Sequence, residues 1–236
     1  MISALVIFFD DYSYIEECIS SLDFVDEIII VGKIDQDLRS KIKHKNTVQF
    51  VVSESLESNV LLMQARSKAS HEWIIEFEAD HYISNPLAEE ITKIASNADS
   101  EGIYKVKTRF NFMGRLLKFS GYRTLSTSFL FHKNSIANKR ATKKLKHPIE
   151  KIYLDFDHYN ERLTEKAKQK ARVLYNNKRY PNFFNFLFNP IWKLKQMFIF
   201  KLGFLDGKEG FVYAYLNAFK EFKTYLFLWL MYRNIE

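Results

Sequence analysis

Trp73-Ile74-Ile75-Glu76-Phe77-Glu78-Ala79-Asp80-His81 is the stretch whose reading decides the fold. Residues 73 to 77 have the character of a buried strand, and they run straight into an acid-x-acid tripeptide. Carboxylates are thereby delivered at the carboxyl end of a strand, where open α/β sheets place their ligands. Glu78 and Asp80 so placed can hold a divalent cation, and the cation can hold a diphosphate whose departure it assists. Taken alone, the tripeptide reads more plainly as a strand followed by an acidic turn. Its weight comes from what surrounds it.

Upstream, strand and helix signals alternate. Ile2 to Phe9 is an almost continuous apolar run, as a parallel strand covered on both faces requires. Asp10-Asp11-Tyr12 breaks it, and Ser13 with Glu16 makes a capping-box pattern ahead of Ile15, Cys18, Ile19 and Leu22 at helical spacing. Ile28 to Val31, closed by Gly32, and Thr47 to Val52 read as further strands. Ser55 can cap a helix whose inward face is Leu56, Val60 and Met63. Downstream, Asn85-Pro86 reads as a cap followed by proline at the first helical position, with Glu89 and Glu90 suited to the positive end of the helix. Such alternation predicts an α/β protein with a doubly wound, Rossmann-like mixed sheet.

From Gly102 the rhythm changes. Ile103, Lys105 and Lys107 alternate with Tyr104, Val106 and Thr108, and a second β segment lies at Ser128 to His132. The loop between them carries Gly114, Arg115, Gly121 and Tyr122 and is able to cover a site. Asn138 to Lys146 is strongly basic. Tyr159 to Tyr175 reads as a helix with a stripe of Leu163, Ala167, Ala171 and Leu174. Pro181 to Phe188 is aromatic, Pro190-Ile191-Trp192 opens a helix that ends at Gly203, and a second apolar helix follows Gly207 to about Arg233. Apolar girth combined with Trp, Tyr, Lys193, Lys195 and Lys201 suits a helix lying in the plane of a membrane surface. It equally suits a hairpin packed on the sheet or on a second copy of the chain, a homodimer.

Composition bounds the partners. Of 236 residues 47% are hydrophobic, including 22 Phe and 13 Tyr, which excludes a disordered chain. With 7 Gly and 4 Pro, collagen-like and many-turned all-β architectures are disfavoured. The formal net charge of +7 points to an anionic partner. No recognition helix, RNP-like aromatic strand or zinc spacing supports nucleic acid, which is not expected as a partner. The single Cys18 excludes an internal disulfide and fits a reducing compartment. No basic leader precedes the first strand and no apolar run reaches about 18 residues, so neither a signal peptide nor a spanning helix is expected.

An ordered set of motifs resembles the family-2, GT-A-type glycosyltransferases of the lipopolysaccharide-core branch. It comprises Ser3 to Ile19, Asp26 to Val31, Lys68-Ala69 with Trp73, the acid-Ala-Asp tripeptide, Arg109 with Asn111-Phe112-Met113-Gly114-Arg115, Gly121-Tyr122, and Leu202-Gly203-Phe204-Leu205-Asp206-Gly207-Lys208-Glu209-Gly210. The resemblance implies a GT-A domain over 1–158 and a helical region over 159–236 that serves membrane-surface attachment or dimerisation. It implies an inverting, metal-assisted transfer of a sugar from a nucleotide-sugar donor to a lipid-linked or core oligosaccharide acceptor. The setting would be the cytoplasmic face of the inner membrane, against an anionic lipid surface. Asp10 and Asp11 would lie by the nucleobase, and Asp80 would be the principal ligand of Mg²⁺ or Mn²⁺. Glu78 would face the ribose or join the metal, and Arg109 and Arg115 would contact diphosphate or acceptor.

Departures from the family pattern fall mostly in the donor site. Gly32 stands where an Asp is usual, Met63 where an Asn is, Phe129 where an Arg is, and Glu78-Ala79-Asp80-His81 replaces Asp-Ala-Asp-Glu. His147-Pro148 replaces a His-Glu pair, which leaves Glu150 as the nearest carboxylate and, with His147, the catalytic candidate. The competing expectation is a GT-A-like module that binds a glycan or a partner enzyme without turnover. His158, following Asp155 and Asp157, fits a metal ligand or a structural hydrogen bond equally.

Overall fold

The structure, a computed structural model, describes residues 1–8, 14–32, 34, 36–42, 47–52, 63, 65–97, 100–123, 125–138 and 142–235. Expectations for Asp10, Asp11, Ser13, Ser55, Leu56 and Val60 lie outside these residues.

Continuous aliphatic runs form the strands, because only a strand covered on both faces can be apolar at every position. The chain opens with β1 (Ile2–Phe8), α1 (Ile15–Ser20), β2 (Glu27–Gly32), α2 (Gln36–Lys41), β3 (Thr47–Val52) and β4 (Trp73–Glu78). The four strands are parallel, in the order β3, β2, β1, β4, and the register sets Phe8 opposite Gly32 and Ile7 opposite Glu78. Alternate side chains feed two cores. Ala4, Val6, Phe8, Ile28, Ile30 and Ile75 pack with Ile15, Cys18 and Ile19 of α1, whereas Leu5, Ile29, Val31 and Ile74 pack with Ala65 and Ala69. Each such aliphatic side chain contributes about 1.5–3 kcal/mol on burial.

The sheet then turns antiparallel. After β5 (His81–Tyr82) and α3 (Asn85–Ser96), β6 (Ile103–Phe112) forms a hairpin-like pair with β7 (Arg115–Leu116), and β8 (Ser126–His132) joins β6 to β4. Short α4 (Lys133–Asn138) and β9 (Thr142–Lys144) lead to β10 (Ile149–Lys151), which pairs with β5. The α/β class with a mixed, doubly wound sheet is therefore as the sequence predicts.

The chain packs as two compact units, residues 1–109 with 125–152 and residues 110–124 with 153–236. The loop after Arg109 thus groups with the helical region, a discontinuity that a single division at residue 158 does not contain. In the second unit, α5 (Phe156–Asn176) and α7 (Gly207–Tyr232) supply Tyr159 and Tyr213 to an aromatic core with Phe110, Phe112 and Tyr122, whereas α6 (Phe183–Lys195) has no buried residue. Between α6 and α7 lie a π-helical segment, Gln196–Phe200, and a 3₁₀ turn, Gly203–Asp206.

Three local expectations change. Met63 is exposed rather than inward-facing. Ser84, not Asn85, occupies the cap of α3, with Asn85 and Pro86 inside the first turn. Pro190 does not open α6 but lies within it; the helix starts seven residues earlier, where Asn182 and Asn185 exchange side-chain and backbone hydrogen bonds in a capping box. Among the described residues no helix is long and apolar enough to cross a membrane.

Candidate functional site at the carboxyl edge of the sheet

Strand β4 delivers the acid-x-acid turn as expected, but its principal carboxylate is enclosed. Asp80 is 0% exposed. Its Oδ1 lies 2.6 Å from His81 Nδ1 and its Oδ2 3.3 Å from Lys151 Nζ. The Ile152 N–H donates to the Asp80 carbonyl at 2.8 Å, and Lys151 sits opposite His81 in the β10–β5 ladder. Backbone pairing thus holds the ammonium over the carboxylate. Beneath them, burial pushes the Cys18 thiol well up from its ordinary value, with the negative charges of Asp80 and Glu17 adding to it. A thiol so held is inert and serves packing.

This geometry does not fit the expected Mg²⁺ or Mn²⁺. Such an ion requires a near-octahedral set of oxygen ligands at about 2.1 Å and keeps several waters. Asp80 instead carries an ammonium and an imidazole at the positions a cation would approach. Glu78 closes β4 half-buried, and its carbonyl lies 3.3 Å from His81 Nδ1. No group of three or more His, Cys, Asp or Glu side chains able to hold an ion exists among the described residues. As described, the side chains around Asp80 do not fit that ion, and the expected ligand roles of Asp80 and Glu78 stand as expectations.

The remaining candidates separate. Glu150 and Arg109 form a close ion pair, Nε lying 2.9 Å from Oε1 and 3.0 Å from Oε2. An acceptor hydroxyl seeking Glu150 as a base must compete with that guanidinium. His147 clips the chain to α3: its backbone N–H and ring Nδ1 each lie 3.0 Å from Glu90 Oε2, and the Lys146 N–H donates to the same carboxylate. Burial works to raise the Glu90 pKa, but those donors outweigh it and hold the carboxyl below its ordinary value. Arg115 belongs to the second unit, where its Nη1 is 3.5 Å from Glu209 Oε2. His158 is tied to the cap of its own helix: Asp155 caps α5 by accepting from the His158 N–H at 2.9 Å and contacts its Nδ1 at 2.6 Å. An open groove of about 550 Å³ along α3, lined by Phe24, Ala88, Glu89, Thr92 and Lys93 among others, includes none of these candidates.

At Gly32 a side chain is excluded for a steric reason. Its φ is +151°, and a Cβ built there would stand 2.1 Å from the Phe8 carbonyl oxygen. Any side chain would displace the backbone at the end of β1. The Gly-Phe-Leu-Asp-Gly segment is likewise architectural. Asp206 is buried and accepts from the N–H groups of Lys118 and Phe119, at 3.0 Å each, and from the Ser120 hydroxyl at 2.8 Å. A Cβ at Gly210 would stand 2.1 Å from the Gly203 carbonyl.

Sequence reading missed Lys151 and the role of Glu90. Both partnerships span long separations, and neither leaves a local pattern.

No family model matches the chain. Among solved structures it is similar to S. aureus TarS 1-349 in complex with UDP-GlcNAc, at 15% identity over 100% of this chain and 92% of that one, with a TM-score of 0.49. It is similar to the manganese complex of Rv0371C from Mycobacterium tuberculosis, at 13% identity over 68% and 96% of the two chains, TM-score 0.43. A 4-diphosphocytidyl-2C-methyl-D-erythritol synthase from Anaerococcus prevotii gives 12% identity over 64% and 89%, TM-score 0.42. Likenesses of this size carry nothing about chemistry.

Proposed function

We propose that this chain is a glycosyltransferase that moves a sugar from a nucleotide-sugar donor, with inversion, onto a lipopolysaccharide-core or related bacterial surface glycan. The observation that carries the reading is the group of Asp80, His81 and Lys151, with the Arg109–Glu150 ion pair elsewhere in the same unit. It begins where β4 ends, beside the parallel strands, where such sheets take nucleotides. The ordered family-like motifs of the sequence supply the donor and acceptor class. In this reading Lys151, His81 and Arg109 bind and orient anionic groups. Glu150, released from Arg109, accepts the proton of the acceptor hydroxyl. His147 is a positioning residue that holds the β10 approach on α3.

The test is transfer itself. Purified protein is incubated with radiolabelled UDP-, GDP- and ADP-sugars and with membranes bearing truncated core glycan. Label entering the glycan, lost in Glu150→Gln, is expected. A folded protein that transfers nothing from any donor sinks the reading.

A second reading, a glycan-binding module without turnover, is favoured by Gly32, whose contact with Phe8 leaves no room for the family's acid. It predicts glycan binding with no release of nucleotide.

We place the work at an anionic membrane surface. What supports this is α6, which has no buried residue and exposes Phe183, Phe184, Phe188 and Trp192 beside Lys193 and Lys195. Co-sedimentation with phosphatidylglycerol vesicles, weakened in Phe184→Ser/Trp192→Ser, is the expected result. Unchanged sedimentation of that variant points instead to α6 covering a second copy of the chain.

A further inference from the structure

We infer that Lys151 is the cation of this site: its ammonium, seated on the buried carboxylate of Asp80 beside His81, receives the diphosphate of a nucleotide in place of a divalent metal ion. The inference rests on the transferase reading above and deepens it.

Three observations converge. The first is which atoms meet solvent. Asp80 is wholly enclosed, whereas the side chains of Lys151 and His81 remain 17% and 15% exposed. At Asp80 an incoming ligand therefore meets a pair of nitrogen groups rather than the enclosed carboxylate oxygens, with the half-buried Glu78 as the neighbouring acid. The second is preorganisation. The ladder between β10 and β5 sets Lys151 across from His81, and the Ile152-to-Asp80 backbone hydrogen bond at 2.8 Å fixes the turn to the strand. A donor held this way needs little rearrangement to meet an anion. The third is charge. Asp80 anchors Lys151 as a metal ligand anchors its metal, and the exposed guanidinium of Arg109 is held by Glu150, the next residue along β10. Adjacent positions of β10 thus each enter an ion pair, Glu150 with Arg109 of β6 and Lys151 with Asp80.

The same arrangement accounts for the residue following the acid-x-acid. A carboxylate at position 81 would confront Asp80 at the distance where His81 Nδ1 now lies, 2.6 Å from Oδ1. Histidine there suits a site whose positive charge comes from the protein.

Calorimetric titration of the full chain with UDP, GDP, ADP and CDP, each in EDTA and in Mn²⁺, tests the inference. Binding of one nucleotide with the same affinity in both buffers is expected. Lys151→Met alone strands a buried carboxylate, so the decisive variant is Asp80→Asn/Lys151→Met, which removes both charges together. It is expected to stay folded by circular dichroism and to bind that nucleotide about tenfold or more weakly, the size of one lost charge-assisted hydrogen bond. Lys151→Arg, which keeps the charge, is expected to bind more tightly than the double variant. Binding that requires Mn²⁺, or a double variant that binds as the wild type does, overturns the inference and leaves the transferase reading standing. Failure of every nucleotide in both buffers overturns both.

Discussion

Two buried carboxylates mark opposite ends of the same parallel strands, and they are held by opposite means. At the amino edge, Glu27 accepts from the Ser3 hydroxyl at 2.7 Å, the Gln49 amide at 2.8 Å, and the backbone N–H and hydroxyl of Ser70 at 2.9 Å each. At the carboxyl edge, Asp80 meets the ammonium of Lys151 and the imidazole of His81. Neutral donors disperse a charge and leave nothing over for a ligand. Lys151 neutralises Asp80 and keeps part of its ammonium at the surface, so the difference separates an edge that ties the strands together from one that still offers donors to an anion.

Mutation should break this contrast in a definite order. Lys151→Met strands Asp80 without its ammonium, and loss of one partner of a buried pair costs about 3–5 kcal/mol; urea unfolding should show it. Glu27→Ala leaves the donors of Ser3, Gln49 and Ser70 bare, with an expected loss of about 1–3 kcal/mol by the same measurement. Equal losses in the two variants would erase the proposed distinction.

Acid should act chiefly through the amino edge and through Glu90. Burial pushes the Glu27 pKa upward, but the Ser3 and Ser70 hydrogen bonds outweigh it, so the carboxyl sits below its ordinary 4.5. A depressed folded pKa gives stability that is complete above the unfolded value and lost as pH falls through the folded one. The urea midpoint should therefore hold down to about pH 5 and decline below it. Glu27→Gln should flatten that decline. The smallest effect is expected from Arg109→Ala, because the Arg109 side chain is 54% exposed and such pairs contribute about 0–1 kcal/mol. A loss as large as that of Lys151→Met would show that the Arg109–Glu150 and Lys151–Asp80 pairs stand in equivalent environments.

The parallel half of the sheet was legible because each residue of Ile28 to Val31 announces the same thing, burial on both faces. Tyr104, Val106 and Thr108 were legible for the complementary reason, strict alternation on a strand with one polar face. Pro190 misled because proline is read as a boundary, whereas here the capping box at Asn182 starts the helix and the proline is carried inside it. The acid-x-acid turn was found, but the lysine seated on its buried carboxylate was not. Nothing between residues 81 and 149 encodes that a lysine will return across an antiparallel ladder to Asp80. Asp206 shows the same limit: read as part of a turn motif, it clamps backbone N–H groups more than eighty residues earlier in the chain.

One feature of the helical unit bears on how this chain can vary in length. Residues Gln196–Phe200 form a π-helical turn, closed by the Lys201 N–H donating to the Gln196 carbonyl at 2.9 Å. Such a turn holds one residue more than an α-helix needs, and removing it would rotate everything beyond by roughly 100°. Gly203 would then swing away from Gly210, whose lack of a side chain permits their backbones to touch. Point changes along the exposed face of α6 are therefore far better tolerated than a single-codon deletion at 196–200, which would unseat the hairpin while leaving its composition almost untouched.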